Sequence, residues 1–223
     1  MIRRFEFEIS EWYHCFSKGV EGRKTFQDRG DYERFLSLIY LANSVKSVNL
    51  FSQRNFSFSD ALNVDRGKSI VTVGAYCLMP THYHLVLRED TEGGISKFMQ
   101  KLGTGYAMYF NLKNERIGNL FVRPFRARYL DKDEYFQHVI KYVHFNPSEL
   151  YEPRWREGKV KDLKTLQQKI LNYPYSSLNC YEDKSSLIRK LIGESVFSVY
   201  RKEPISGMLN DARKYYEECK SML

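Results

Sequence analysis

Two histidines separated by a single residue, His82 and His84, are the side chains best suited to metal chemistry in this sequence. A neutral imidazole nitrogen is a common ligand of divalent metals. The apolar run Leu85-Val86-Leu87 predicts a buried strand, on which alternate side chains point to the same face. Both imidazoles then face one way and form half of a divalent-metal site. The alternative for such a pair is two half-buried histidines that only make hydrogen bonds.

A helix is predicted between Asp131 and Pro147, downstream of the histidines. Asp131, with Glu134 three residues later, fits a capping box, and Pro147 fits a helix stop. The apolar face predicted to join the core consists of Phe136, Val139, Ile140 and Val143.

A separate polar stripe on that helix is formed by His138, Tyr142 and Asn146, because successive residues turn by about 100°. This stripe is expected at the edge of the packed surface. A tyrosine hydroxyl, with an ordinary pKa of about 10, is a poor nucleophile at neutral pH unless a neighbouring group activates it. A metal ion held beside Tyr142 is one group that activates such a hydroxyl. The alternative is a packing tyrosine with its hydroxyl at the surface.

Three separated motifs together resemble one family, the IS200-like single-tyrosine (HUH) transposases, and most closely their REP-associated branch. The motifs are Tyr76 to Leu87 (YCLMPTHYHLVL), Gly118 to Phe121 (GNLF) with Arg126 beyond it, and Tyr142 to Pro147 (YVHFNP). The resemblance covers roughly residues 1 to 180, including the segment Tyr173 to Ser177 (YPYSS). Three motifs in the right order are more specific than any one of them.

The resemblance implies a reaction and a role for each residue of the site. His82 and His84 would hold Mg²⁺ or Mn²⁺, with Asn146 as the third ligand. Tyr142 would attack single-stranded or hairpin DNA, leaving a 5′-phosphotyrosine bond and a free 3′-hydroxyl, with no need for ATP. His138 is a possible proton acceptor or phosphate contact, or else a surface histidine.

Composition favours an anionic partner. The 223-residue chain carries a formal net charge of +8, from 35 Lys and Arg against 27 Asp and Glu, with 17 Tyr and 15 Phe among them. Cations for phosphates and aromatic rings for unpaired bases are what a single-strand binder needs. The residues predicted to contact DNA are Arg116, Arg123, Arg126 and Arg128 around a fourth strand and Lys97 and Lys101 on a helix. The alternative for the arginines is a solvated edge strand protected by charge.

The predicted elements alternate in the order strand, helix, strand, strand, helix, strand. They are a strand from Phe5 to Phe16, a helix from Asp31 to about Ser44, a strand from Ile70 to Leu78 in a hairpin with the histidine strand, a helix from Glu92 to Lys113, and a strand that ends near Tyr129. This is an α+β fold, a ferredoxin-like split βαβ with a central antiparallel sheet and an added tyrosine-bearing helix. By resemblance, helices cover one face and the site lies on the other. His14, on the first strand, is expected to be structural.

The domain organisation predicted is a transposase-like catalytic domain over residues 1–150, with a polar insertion at about 45–68. A helical C-terminal extension over 151–223 is expected to pack on or near it. Its tail, from Ser185 onward, is predicted as one or two short helices broken around Pro204 and Gly207. The long tail favours a monomer over a homodimer.

The compartment expected is the cytoplasm. The sequence has no run of 18 apolar residues and no charged-then-apolar leader, so we expect neither a membrane nor a secreted protein. Its four scattered cysteines lack any Cys-x-x-Cys pair and predict no zinc site.

Two classes of function follow. The first is a metal-dependent enzyme that cleaves and transfers single-stranded DNA, on hairpins or palindromes. The second is a non-catalytic DNA-binding regulator derived from such an enzyme. The intact set of His82, His84 and Tyr142 favours the enzyme. A weaker third hypothesis is a metal-dependent nuclease that acts on RNA.

Overall fold

The computed structural model describes residues 6–46, 57–201 and 203–219. Four strands run in chain order: β1 (Trp12–Lys18), β2 (Val71–Met79), β3 (His82–Glu89) and β4 (Arg126–Tyr129). The α-helices are α1 (Arg29–Ala42), α2 (Phe58–Ala61), α3 (Gly94–Lys113), α4 (Asp133–Phe145), α5 (Leu163–Leu171), α6 (Leu178–Glu182), α7 (Val196–Val199) and α8 (Ile205–Cys219). The 3-10 helix Asn146–Leu150 directly continues α4.

The four strands form one antiparallel sheet in the order β2-β3-β1-β4. The predicted α+β class with a central antiparallel sheet is therefore confirmed. The hairpin between β2 and β3 is also confirmed, and its register pairs Met79 with His82. Strand β2 is buried along its whole length, as expected for an apolar strand with both faces covered.

The first and last strands differ from their predicted bounds. Strand β1 starts at Trp12 because a turn with Ser10 in the left-handed region, at φ 69°, interrupts the chain before it. The predicted start, Phe5, lies outside the described residues. Strand β4 is only four residues long, since Pro124 just before it has no amide hydrogen to donate to a ladder. Upstream of Pro124, a single bridge from Phe121 to Gly19 holds the chain to the end of β1.

Helices α1 and α3 pack together on one face of the sheet. Phe35 of α1 is fully buried and contacts Tyr83 of β3, with ring centroids 4.9 Å apart, and Tyr106 of α3 at 5.0 Å. Burying a phenylalanine contributes roughly 1.5–3 kcal/mol. A Cβ added at Gly105 would lie 3.2 Å from the Leu38 side chain, so this glycine permits the close approach of the helices.

The cap of α1 is Asp28 rather than the predicted Asp31. The Asp28 carboxylate accepts a hydrogen bond from the Asp31 amide at 3.1 Å, and α1 begins at Arg29. Asp31 itself is buried and forms an ion pair with Lys113 of α3 at 2.7 Å. The aspartate just before the helix caps its first amide groups, whereas the one inside the first turn pairs with a side chain of the neighbouring helix.

Helix α4 packs on the opposite face of the sheet, and it is buried on all sides from Phe136 to Phe145. The expected polar stripe at the edge of the core is therefore wrong, because α8 covers that side of α4. The predicted capping box is wrong as well. The residue before α4 is Lys132, whose side chain makes no cap bond, while Asp133 and Glu134 place negative charge in the first turn.

The C-terminal part of the chain contributes the long helix α8. The predicted break at Pro204 is confirmed, since α7 ends at Val199 and α8 begins at Ile205, but Gly207 lies inside α8 and does not break it. Proline is well tolerated at a helix start, and packing on α4 offsets the low helix propensity of one glycine. The side chain of Lys141 on α4 donates to Asp211 of α8 at 2.7 Å. The division into residues 1–150 and 151–223 stays a prediction.

Other predicted features have mixed outcomes. The polar insertion lies partly outside the described residues, at 47–56, and its described end contains α2, capped by Ser57 and Asp60. The YPYSS segment runs along the free edge of β2, where the Leu78 amide donates to the carbonyl of Tyr175 at 2.9 Å. No helix in the described part of the chain is long and apolar enough to cross a membrane.

Candidate active site

A pocket of about 240 Å³ opens on the sheet face that carries the histidines. Residues of β1, β3, β4, α4, α8 and the segment between the last two line it, among them His82, His84, Arg126, Tyr142, Glu149, Arg156 and Tyr216. The structure thus brings both predicted histidines and the predicted tyrosine to one place.

His82 and His84 share a face of β3, as the alternation predicts. Their ring centroids are 5.1 Å apart and the rings are nearly perpendicular, at 86°. Each ring has its Nδ1 atom engaged, that of His82 with the Thr81 hydroxyl at 3.0 Å and that of His84 with His14 at 2.9 Å. Both imidazoles are therefore held at Nδ1, which leaves Nε2 as the nitrogen through which each ring would bind a metal.

Burial keeps both histidines neutral. It lowers the pKa of His84 well below 6.5, and the neighbouring His14 and His82 act in the same direction. Burial also lowers the pKa of His82, partly opposed by the charge of Glu149 and by a hydrogen bond to Asn146. A neutral imidazole is the form that binds a metal.

Asn146 lies directly after α4 and is fully buried. Its amide nitrogen donates to the Tyr142 carbonyl at 3.1 Å, one helical turn back. Its buried Oδ1 atom makes no well-formed hydrogen bond among the described residues, although the side chain is close enough to His82 to act on that ring. An unsatisfied buried oxygen costs roughly 1–3 kcal/mol, so its placement beside two imidazoles calls for a ligand.

Tyr142 faces the histidines from α4. Its ring centroid is 5.5 Å from that of His84 and 5.2 Å from that of Tyr215 on α8. The side chain is only 1% exposed, although it lines the pocket. The alternative of a packing tyrosine with its hydroxyl at the open surface does not hold, since α8 closes over the ring.

The same architecture occurs in a solved structure described as a REP-associated tyrosine transposase bound to a REP hairpin. The TM-score is 0.50, and the alignment covers 92% of this chain and 92% of that chain at 11% sequence identity. The chain has the fold of that transposase. No protein-family model matches the sequence, and no curated protein matches it.

Within this transposase fold, His14 is the site residue that the sequence prediction missed. It lies on β1, where Phe16 pairs directly with His84 in the antiparallel register. Its Nε2 atom is 2.9 Å from Nδ1 of His84, and its Nδ1 atom is 2.7 Å from the hydroxyl of Tyr215. Burial and the charge of Arg128 lower the pKa of His14 to about 3. The sequence did contain a signal, because His14 lies on a predicted strand. A residue far from His82 and His84 in sequence can lie beside them once the two strands pair in a sheet.

Glu149 and Arg156 form an ion pair at 2.9 Å in the wall of the pocket. The guanidinium of Arg156 also lies over the ring of Tyr216, 4.5 Å from its centroid. The acid at position 149 therefore belongs to the site, where its charge acts on His82.

The predicted DNA-binding cations divide into two groups. Arg126 lines the pocket, and Arg128 shares its face of β4 but donates to the Tyr135 hydroxyl. Arg123 is exposed in a neighbouring groove of about 440 Å³ along α3. The remaining predicted cations are not brought to the pocket: Arg116 binds Asn111, Lys101 donates to the carbonyls of Ser44 and Lys46, and Lys97 is exposed on α3.

His138 also lies away from the pocket. It is buried between α4 and α8, with its Nε2 atom 3.6 Å from a carboxylate oxygen of Asp211 and 3.9 Å from Glu134. It is therefore not the surface histidine of the alternative interpretation. Its neighbours are carboxylates at the α4–α8 contact.

Among the described residues, no three His, Cys, Asp or Glu side chains are grouped as a metal site would require. The predicted ligand set contains only two such residues, His82 and His84, since its third member is the amide of Asn146. Cys15, Cys77 and Cys180 are buried, and none of the three takes part in a disulfide bond.

Proposed function

We propose that this protein is a metal-dependent DNA strand transferase that uses Tyr142 as its nucleophile. The observation that carries the proposal is that Tyr142, His82 and His84 line one pocket. The fold shared with a transposase supports it, and so does the set of three sequence motifs. The substrate proposed is single-stranded DNA next to a hairpin, because the similar transposase was solved with a REP hairpin.

The donor atoms of the pocket fit a divalent cation. His82 and His84 are both held through Nδ1, so that Nε2 would bind the metal, and the buried side-chain oxygen of Asn146 lies beside His82. Two imidazoles and an amide oxygen suit Mn²⁺, which accepts nitrogen ligands more readily than Mg²⁺ does. When bound, such an ion would polarise the scissile phosphate and stabilise its developing charge.

The chain's own residues supply the covalent chemistry and the positioning. The Tyr142 oxygen forms a bond to phosphorus and loses its proton, while the bond from phosphorus to the 3′-oxygen breaks and that oxygen gains a proton. The products are a 5′-phosphotyrosine and a free 3′-hydroxyl. Because the phosphoester bond is exchanged rather than hydrolysed, the reverse attack by another 3′-hydroxyl joins strands without ATP.

Access to Tyr142 requires the pocket wall to accommodate a phosphate. Arg126 and Arg156 carry positive charge in that wall, and a guanidinium can bind a phosphate with two parallel hydrogen bonds. Arg156 is paired with Glu149 in the structure. We propose that Arg126 binds the phosphate next to the cleavage site and that Arg123 contacts the strand farther along.

The proposal is tested with hairpin oligonucleotides that carry single-stranded flanks, labelled at the 5′ or the 3′ end. They are incubated with the protein and Mn²⁺ and run on a denaturing gel. A covalent adduct should form with the label that lies 3′ of the cleaved bond, and Tyr142→Phe should abolish it. His82→Ala and His84→Ala should each reduce it strongly.

A matched control is Tyr216→Phe, which removes the hydroxyl of another aromatic residue of the pocket wall. The adduct should persist in that variant. If it disappears with Tyr216→Phe and survives Tyr142→Phe, the nucleophile is wrongly assigned. Gel-shift binding without any adduct, over a broad set of hairpins and metals, would favour the non-catalytic regulator. Metal-dependent cleavage of RNA without an adduct would favour the nuclease.

A further inference from the structure

A chain of three buried polar side chains runs from α8 to the pocket. It starts at the hydroxyl of Tyr215, continues through both nitrogens of His14 and ends at Nδ1 of His84, with contacts of 2.7 and 2.9 Å. Tyr215 and His14 are fully buried and His84 almost so. Each imidazole must therefore be the hydrogen-bond partner of the other, and all donors along the chain must point in the same direction.

A neutral imidazole has one N–H donor and one acceptor nitrogen, so only two orders are possible. In the first, Nδ1–H of His84 donates to His14, and Nδ1–H of His14 donates to the Tyr215 oxygen. His84 then presents a lone pair at Nε2. In the second order every donor is reversed, and His84 presents an N–H at Nε2, which cannot bind a metal.

The surroundings of His84 favour the first order. Arg156 lies in the pocket wall and is close enough to act electrostatically on the His84 ring. A positive charge at that position favours a lone pair over an N–H group directed into the pocket. The Tyr215 oxygen at the far end can accept a hydrogen bond from Nδ1–H of His14.

We propose that His14 and Tyr215 are positioning residues that hold His84 in its Nδ1–H tautomer, so that its Nε2 lone pair is available to the metal. The inference rests on the proposed function for its purpose, since it names what prepares a ligand of that site. Partners that orient a ligating histidine typically change metal affinity by 10–100-fold.

The tautomers can be read in the metal-free protein, independently of any activity. Long-range ¹H–¹⁵N correlation spectra of protein labelled at its histidines distinguish Nδ1–H from Nε2–H. We expect Nδ1–H on both His14 and His84, and a mixture on His14 in Tyr215→Phe. Finding Nε2–H on His84 in the wild-type protein would overturn the inference.

Metal affinity supplies the second measurement, by Mn²⁺ titration followed by electron paramagnetic resonance. His14→Leu should weaken binding by about 10–100-fold. His14→Gln should recover part of this loss, because its amide oxygen can accept from His84. If His14→Leu fails to fold, Tyr215→Phe replaces it, since that change deletes a single oxygen and should still weaken binding measurably.

Tyr200→Phe is the control, because Tyr200 is a buried tyrosine of the same region that forms no hydrogen bond with the three members of the chain. Its Mn²⁺ affinity should equal that of the wild type. Equal affinity in His14→Leu, His14→Gln and Tyr215→Phe would overturn the inference. A wild-type protein that binds no Mn²⁺ would instead overturn the proposed function, and the tautomer spectra would still decide the inference.

Discussion

The lysine buried between α4 and α8 offers a sharp test of what holds the C-terminal helix in place. The Lys141 side chain is 3% exposed and contacts Asp211 at 2.7 Å and Glu203 at 2.9 Å. Burial by itself would lower the pKa of Lys141, but the hydrogen bonds that its ammonium donates to the two carboxylates raise it overall. Lys141 is therefore charged in the folded protein and depends on these partners.

Asp211→Ala should destabilise the fold by about 2 kcal/mol. Removing one partner of a fully buried pair costs about 3–5 kcal/mol. We take a smaller value because Glu203 remains and because the Asp211 side chain is 19% exposed. Lys141→Met should cost less than about 1 kcal/mol, since methionine fills a similar volume and the carboxylates can reach water. The double variant should resemble Lys141→Met.

Urea unfolding followed by circular dichroism measures all four proteins of this cycle. For a chain of this size, about 2 kcal/mol corresponds to a decrease in Tm of roughly 4–8 °C. The reasoning is refuted if Asp211→Ala matches the wild type, or if the double variant is less stable than Asp211→Ala alone. Either result would mean that Lys141 is not a buried charge that needs Asp211.

Three further predictions concern pH, backbone packing and DNA. Burial lowers the pKa of His144 to about 3, so below pH 6.5 the unfolded state binds a proton that the folded state does not. The free energy of unfolding should therefore fall as the pH decreases from 6.5. In His144→Gln this fall, measured by urea unfolding, should be smaller by about 2 kcal/mol at about pH 5. A Cβ on Gly94 would lie 2.3 Å from the Ile70 carbonyl oxygen, whereas one on Gly103 would meet nothing within 4 Å. Gly94→Ala should therefore lower the free energy of unfolding by about 1–3 kcal/mol, and Gly103→Ala should raise it by up to about 1 kcal/mol. Equal melting temperatures of the two variants would contradict this. Arg126→Ala should weaken single-stranded DNA binding and reduce the slope of log K against log salt by about 0.7. Arg116→Ala should have a smaller effect. If anisotropy titrations give the same affinity and slope for both variants, the pocket has no special role in DNA binding.

The parts of the fold that sequence predicts well are those governed by local rules. The alternation of side chains on a strand placed His82 and His84 on one face, and a connection too short for a crossover required the hairpin with β2. Spacing on a helix likewise placed Asn146 one turn beyond Tyr142, and the Asn146 amide does donate to the Tyr142 carbonyl. These features depend on residues only a few positions apart.

The parts that were wrong depend on contacts between distant segments. His14 enters the site through strand pairing, and no local pattern distinguishes it from a structural histidine. The polar side of α4 was expected at the edge of the core because no pattern in its sequence indicates that α8 covers it. Gly207 looks like a helix breaker in isolation, but tertiary packing overrides the propensity of a single residue.

The contact between His14 and Tyr215 has a consequence for when the pocket is completed during synthesis. These residues are 201 positions apart. At translation rates of about 5–20 residues per second, the second arrives roughly 10–40 s after the first. Until then the growing chain can form β1, β2 and β3, but His14 lacks its tyrosine partner. The candidate pocket is therefore completed only after the residues between His14 and Tyr215 have been made.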